Sequence, residues 1–200
     1  MSMHNLQYPL TELCELALKY GSDKCPRIGH CYTPYYFEVF KNRRKSVKKL
    51  LEMGVGLAKY KNPYYVVGAG LRMWRDFFPN AQIFGADIAG ESLFTEKRID
   101  TYYCDERNKK DIKDLILKTG KDIDIVIDDA SHHIHDQIFL LNTLMPLLDK
   151  KAVYIIEDCY RPHRISKMIT KYDCHIPELL PNDSPERGSL VVFRHKNEDF

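Results

Sequence analysis

Asp128 and Asp129 stand just ahead of His132 in the stretch Ile123-Asp124-Ile125-Val126-Ile127-Asp128-Asp129-Ala130-Ser131-His132-His133. Carboxylate oxygens hold hard divalent cations, and an imidazole that titrates near neutrality can move a proton. Capping of the next helix accounts for one aspartate at such a place, but not for two acids and a histidine soon after. Both aspartates therefore read, locally, as a joint metal pair. A second acid pair, Glu157-Asp158, closes the apolar run Ala152-Val153-Tyr154-Ile155-Ile156. A solvated acidic loop would explain one such pair. Two of them, each after an apolar run, argue for a site. His133 and His135 read as exposed or capping residues.

A third group has the composition of a nucleotide site: Glu52-Met53-Gly54-Val55-Gly56, with Asp87 after the next apolar run. Glycines let a backbone approach a ligand closely, and a carboxylate at a second strand's end suits two ribose hydroxyls. Nicotinamide dinucleotides and S-adenosylmethionine both use this layout. The dinucleotide fingerprint needs a third glycine three residues after the second, and position 59 is Lys. Glu52 would repel a pyrophosphate, yet it can accept a hydrogen bond from a ligand's ammonium group. Asp105, after the third apolar run, fits a cofactor contact or a turn equally well. Trp74 reads as core; the tyrosines 60, 64 and 65 are candidates for stacking on a sugar or adenine.

The elements that must position these residues follow from periodicity. Apolar, β-branched runs predict strands over 47–53, 82–88, about 99–104, 123–128, 152–158 and 189–193. Helical spacing predicts helices over 11–20, from Thr33-Pro34 onward, after Gly68-Ala69-Gly70 through Phe78, over 111–118, through Ile138 to Leu148, and over 161–172. The basic run 41–49 reads as a solvated helix end. Residues 57–67 form an insertion, and 181–188 suit the turn of a closing hairpin. Alternating strands and helices define an α/β fold: a Rossmann-like, doubly wound, mainly parallel sheet with a C-terminal antiparallel hairpin. Two hundred residues suit a single domain, with N-terminal helices and a loop over about 1–46 and the core sheet over about 47–200. A net charge of +2 gives no reason to expect nucleic acid, and no apolar stretch reaches membrane-spanning length. Six cysteines without a C-x-x-C pair, and no export signal at the N-terminus, read as reduced thiols in a cytoplasmic protein.

Several separated motifs together resemble one family. Gly21-Ser22-Asp23-Lys24 with His30 and Tyr32, Leu51 to Gly56, the loop 59–74 ending Gly70-Leu71-Arg72-Met73-Trp74, Phe78 to Ile88, Asp128 to His132 and Tyr154 to Asp158 resemble the macrocin/mycinamicin-type sugar O-methyltransferases. That group includes rhamnosyl O-methyltransferases and has the class I S-adenosylmethionine-dependent methyltransferase fold. Two departures stand out: Gly70 where the family usually has serine, and Glu106 where glutamine is common. The resemblance implies S-adenosylmethionine and Mg²⁺ or another divalent cation as cofactors. It divides the first acid pair, giving Asp129, Glu157 and Asp158 to the metal and making His132 the general base. Glu52, Gly54, Gly56, Arg72, Asp87, Asp105 and Asp128 would line the cofactor site. The implied acceptor is a sugar hydroxyl, on a deoxyhexose such as rhamnose in a glycan or glycosylated small molecule. The rivals are a catechol-like O-methyltransferase, a nicotinamide-dependent oxidoreductase and a non-catalytic glycan-binding module. A homo-oligomer is left open.

Overall fold

A computed structural model describes residues 10–56, 66–179 and 189–196. The tyrosines 60, 64 and 65, the start of the insertion and the expected hairpin turn 181–188 lie outside the described residues. Helix α1 (Glu12–Tyr20) opens on the Thr11 hydroxyl, which accepts from the Cys14 amide, and closes on Gly21 at φ 75°. The remaining elements are α2 (Tyr32–Phe40), β1 (Lys49–Met53), α3 (Ala69–Phe77), β2 (Gln82–Asp87), β3 (Thr95–Glu96), β4 (Ile99–Tyr103), α4 (Lys109–Thr119), β5 (Ile125–Asp128), α5 (Ile134–Leu144), β6 (Val153–Cys159), α6 (Pro162–Met168), β7 (Asp173–His175) and β8 (Ser189–Arg194).

The strands form one sheet in the order β3-β4-β2-β1-β5-β6-β8-β7. The five central strands are parallel; at the flanks β3 pairs antiparallel with β4, β8 pairs antiparallel with β6, and β7 pairs antiparallel with β8. Burial on both faces requires side chains to alternate between two apolar layers, and they do. Leu50, Ile125, Ile127 and Ile155 meet the aromatic layer of Tyr36, Phe40, Trp74, Phe77 and Phe78. Leu51, Val126, Tyr154 and Ile156 meet Leu115, Leu140, Leu141 and Leu144 on the other face. Trp74 is a core residue, its ring 5.2 Å from that of Tyr36.

The chain reverses direction of winding between β1 and β5, since β2 and β4 follow on one side and β6 on the other. Such a switch point leaves a crevice outside the carboxyl ends of the strands. Here Met53 is in register with Asp128, and the Asp129 amide donates to the Met53 carbonyl at 2.9 Å. Gly54 makes this approach possible: a Cβ on it would lie 2.1 Å from the Asp129 carbonyl oxygen.

Four local readings change. Helix α2 begins at Tyr32, one residue before the expected Thr33-Pro34 start, and the Thr33 hydroxyl lies 3.2 Å from the buried Cys14 Sγ. Helix α6 stops at Met168, because the chain turns there to bring Asp173–His175 onto β8. The two-residue β3 is too short to carry a period that a sequence reading could detect. Arg44, read within a solvated run, makes a bidentate pair with Glu12 at 2.6 and 2.7 Å.

Candidate active site

A cavity of about 360 Å³ opens at the carboxyl ends of β1, β2 and β5. Of the residues singled out from the sequence, Glu52, Gly54, Gly56, Asp87, Asp129 and His132 line it. At its cofactor-like end, Asp87 accepts from the Val55 and Ala89 amides, each at 2.8 Å, which fixes the loop after β1 against the end of β2. Glu52 is 2% exposed. Its Oε1 lies 3.2 Å from the Lys24 ammonium, and its Oε2 is buried with no hydrogen-bond partner among the described residues. Burial pushes the Glu52 carboxyl up to about 7, against the pull of Lys24. A buried acceptor without a donor is costly, so this oxygen is suited to a cationic ligand nitrogen. Gly70 also gains a reason: a Cβ there would come within 2.7 Å of Glu52 Oε1.

At the other end Asp129 and His132 line the cavity, and Asp158 stands next to them, each of the three offering one ligand atom within 4.8 Å of the others. His132 Nε2 is 3.2 Å from Asp129 Oδ1, and His132 Nδ1 is 3.6 Å from Asp158 Oδ2. His132 and Asp158 both adopt left-handed backbone, at φ 59° and 48°, a region that non-glycine residues seldom occupy. Such conformations gather where surrounding contacts over-determine a functional geometry. The β6–β8 register also shifts between Ile156 and Cys159, a bulge that re-aims Asp158 out of the ladder. Burial alone would raise the Asp129 pKa, but Lys24 and His132 hold it well below the usual carboxylate range. Burial opposes protonation of His132, yet Asp129 and Asp158 prevail and raise its pKa. Asp158 is shifted up by burial and by Asp129.

Between these ends sits a residue that the sequence reading left without a role. Lys24, 2% exposed, pairs with Glu157, with Asp129 Oδ2 at 2.6 Å and with Glu52 Oε1 at 3.2 Å. Burial would lower its pKa, but these carboxylates raise it well above the ordinary value. Glu157 is thereby held one step behind the cavity. Its Oε1 accepts from the Tyr36 hydroxyl at 2.6 Å, and its carboxyl is shifted strongly upward by burial. The group that offers converging ligand atoms thus contains His132 where the resemblance placed Glu157.

The structure also places three expected cofactor residues off the cavity wall. Arg72 is turned to Glu96, 2.6 Å away, with its guanidinium over the Phe94 ring. Asp105 is taken by Arg107 at 2.9 Å, while Glu106, the departure from the family pattern, does line the cavity. Asp128 points into the opposite core layer, where Tyr154 donates to its Oδ2 at 2.9 Å and burial pushes its carboxyl up to about 7. His133 and His135 are exposed. Only the Gly-Ser-Asp-Lys motif signalled Lys24, since a cation in a short polar loop has no periodicity to mark it.

No family model matches the chain. Among curated proteins, it is 37% identical over 146 residues to the 8-demethyl-8-alpha-L-rhamnosyl tetracenomycin-C 2'-O-methyltransferase of Streptomyces olivaceus, covering 73% of this chain and 37% of that protein. It is likewise 37% identical over 154 residues to the mycinamicin VI 2''-O-methyltransferase of Micromonospora griseorubida, covering 74% of this chain and 36% of that one. The chain is a homologue of sugar O-methyltransferases. It spans 36–37% of the length of these relatives. Among solved structures, MycE methyltransferase in complex with Mg, SAH and mycinamycin VI matches with TM-score 0.65 and 34% identity, over 76% of this chain and 38% of that one. A second MycE structure, with Mg and SAH, matches 96% of this chain and 57% of that chain at TM-score 0.73 and 25% identity. The fold of this sugar O-methyltransferase homologue is accordingly the class I methyltransferase fold.

Proposed function

We propose that the chain carries the catalytic site of an S-adenosylmethionine- and divalent-metal-dependent O-methyltransferase that acts on a sugar hydroxyl. The acceptor we infer is a deoxyhexose such as rhamnose on a glycosylated small molecule, in line with the rhamnosyl substrates named for the tetracenomycin O-methyltransferases it resembles. The observation that carries this reading is one cavity with a buried carboxylate oxygen on Glu52, without a hydrogen-bond partner among the described residues, at one end and Asp129 with His132 at the other. The residues present fit both groups. Glu52 Oε2 lacks the donor that an amino-acid ammonium would bring, and Asp87 stands where ribose hydroxyls are bound in this fold class. Asp129 and Asp158 offer hard oxygens suited to Mg²⁺, with the Glu157–Lys24 pair packed behind them.

When bound, S-adenosylmethionine supplies an electrophilic methyl group, and the cation lowers the pKa of an acceptor hydroxyl well below its value in water. The chain's own residues do the rest. Glu52 and Asp87 orient the cofactor from the β1 and β2 ends. Asp129 and Asp158 are the residues that would hold the cation, on the side of the cavity where the acceptor hydroxyl would meet His132. His132 takes the hydroxyl proton on a ring nitrogen as the oxygen becomes the nucleophile. Positioning of oxygen and methyl in line accounts for much of the remaining acceleration.

His132→Ala tests the reading. Methyl transfer to a rhamnosyl glycoside should fall by about 10²–10⁴-fold, with S-adenosylhomocysteine affinity nearly unchanged. Retained transfer would remove His132 as the base. Calorimetric binding of NAD in place of S-adenosylhomocysteine would overturn the methyltransferase reading itself, and turnover of catechols but not glycosides would move the acceptor class.

A further inference from the structure

Asp158 is held in a left-handed conformation inside a β-bulge, and one atom reaches both ends of it. The Tyr32 hydroxyl donates to Asp158 Oδ1 at 2.5 Å, and the Tyr32 phenol oxygen in turn accepts from the Asp158 backbone amide at 3.2 Å. A single phenol therefore ties the carboxylate to its own backbone. Asp158 Oδ2 is left facing His132 Nδ1 at 3.6 Å, within the group of atoms that can share a cation. Tyr32 is itself fixed. It is 1% exposed, lies at the start of α2, and stacks on His30 at 4.8 Å with an interplanar angle of 13°. His30 Nδ1 is 3.4 Å from the same Asp158 Oδ1, so both aromatic rings face one carboxylate oxygen and leave the other oxygen free.

We propose that Tyr32 is a positioning residue that presents Asp158 Oδ2 to the metal, resting on the metal-dependent reading above. The hydroxyl acts in two ways. It keeps the bulged backbone from relaxing into the ladder, and it occupies Oδ1 so that only Oδ2 points toward Asp129 and His132. Partners behind metal ligands are worth roughly 10–100-fold in metal affinity.

The test uses Tyr32→Phe, which removes one oxygen and keeps the ring packing. By calorimetry, Mg²⁺ affinity should weaken about 10–100-fold, while S-adenosylhomocysteine affinity stays within about twofold, because the Tyr32 hydroxyl bonds to Asp158 and Tyr32 does not line the cavity that Glu52 and Asp87 line. Hydrogen exchange on the metal-free protein gives a second, independent readout: the Asp158 amide should exchange at least about tenfold faster, with the other strands unchanged. A purely structural role would weaken both ligands together and loosen the sheet at large. Unchanged Mg²⁺ affinity in a variant that binds S-adenosylhomocysteine normally would overturn the proposal. If the parent protein binds no divalent cation, the metal-dependent reading fails and the presenting role fails with it; protection at Asp158 then reports only whether the hydroxyl holds the bulge.

Discussion

The two acid pairs look alike in sequence, yet the fold uses them differently. Asp128-Asp129 leaves β5 and Glu157-Asp158 leaves β6, and in each pair the second acid joins the converging group with His132. The first acid of each pair is buried behind it, but on opposite faces of the sheet. Asp128 is in register with Ile156, so it shares that residue's core layer and meets the phenol of Tyr154. Glu157 is one position further on, so alternation turns it to the other layer, where Tyr36 and Lys24 wait. One buried acid thus has a neutral donor and the other has a cation. Similar local chemistry acquires distinct roles from a one-residue offset.

The largest test of that contrast is Lys24→Met. Removing the cation leaves Glu157, Glu52 and Asp129 without their shared partner, and should cost about 3–5 kcal/mol of stability at pH 7 in denaturant unfolding. The loss should shrink at lower pH, because Glu157, already shifted upward, then becomes neutral. The matching change on the other pair, Tyr154→Phe, should cost only ~1–3 kcal/mol, the range for leaving one buried acceptor without its donor. Equal losses would erase the distinction between the two buried acids.

Metal titrations sharpen it next. Asp129→Asn and Asp158→Asn should each weaken Mg²⁺ binding by more than about 100-fold, beyond what partners behind a ligand cost. Glu157→Gln should fall within that smaller range of about 10–100-fold, and Asp128→Asn below it. A Glu157→Gln loss equal to that of Asp158→Asn would make Glu157 a direct ligand, as the family resemblance implies.

The smallest effect concerns pH. With the Glu52 carboxyl near 7, its anionic form grows as pH rises. S-adenosylhomocysteine affinity should therefore climb to about pH 7 and then level, changing by no more than about tenfold per unit below that. In Glu52→Gln the slope should vanish. A slope that survives would assign the titration to another group.

Residue types and periods already carried the α/β fold, the strand exits and the chemistry waiting there. Continuous apolar runs ending in acids are local signals, since each strand's burial and its last residues are adjacent in the chain. Local signals also explain Glu52 and Gly54, whose roles follow from a strand end and a close turn. What the tertiary structure decided is which acid faces which neighbour. Lys24 meets Asp129 across 105 residues and Glu157 across 133; Tyr32 meets Asp158 across 126, and Tyr36 meets Glu157 across 121. Contacts of that separation leave no period in the sequence. The left-handed turn at Asp158 and the bulge around it are likewise invisible locally, because nothing in Glu157-Asp158 favours them until Tyr32 and β8 are in place. Sequence alone therefore determined the ingredients and the edge of the sheet where they gather, and long-range packing of the N-terminal loop and α2 decided their division of labour.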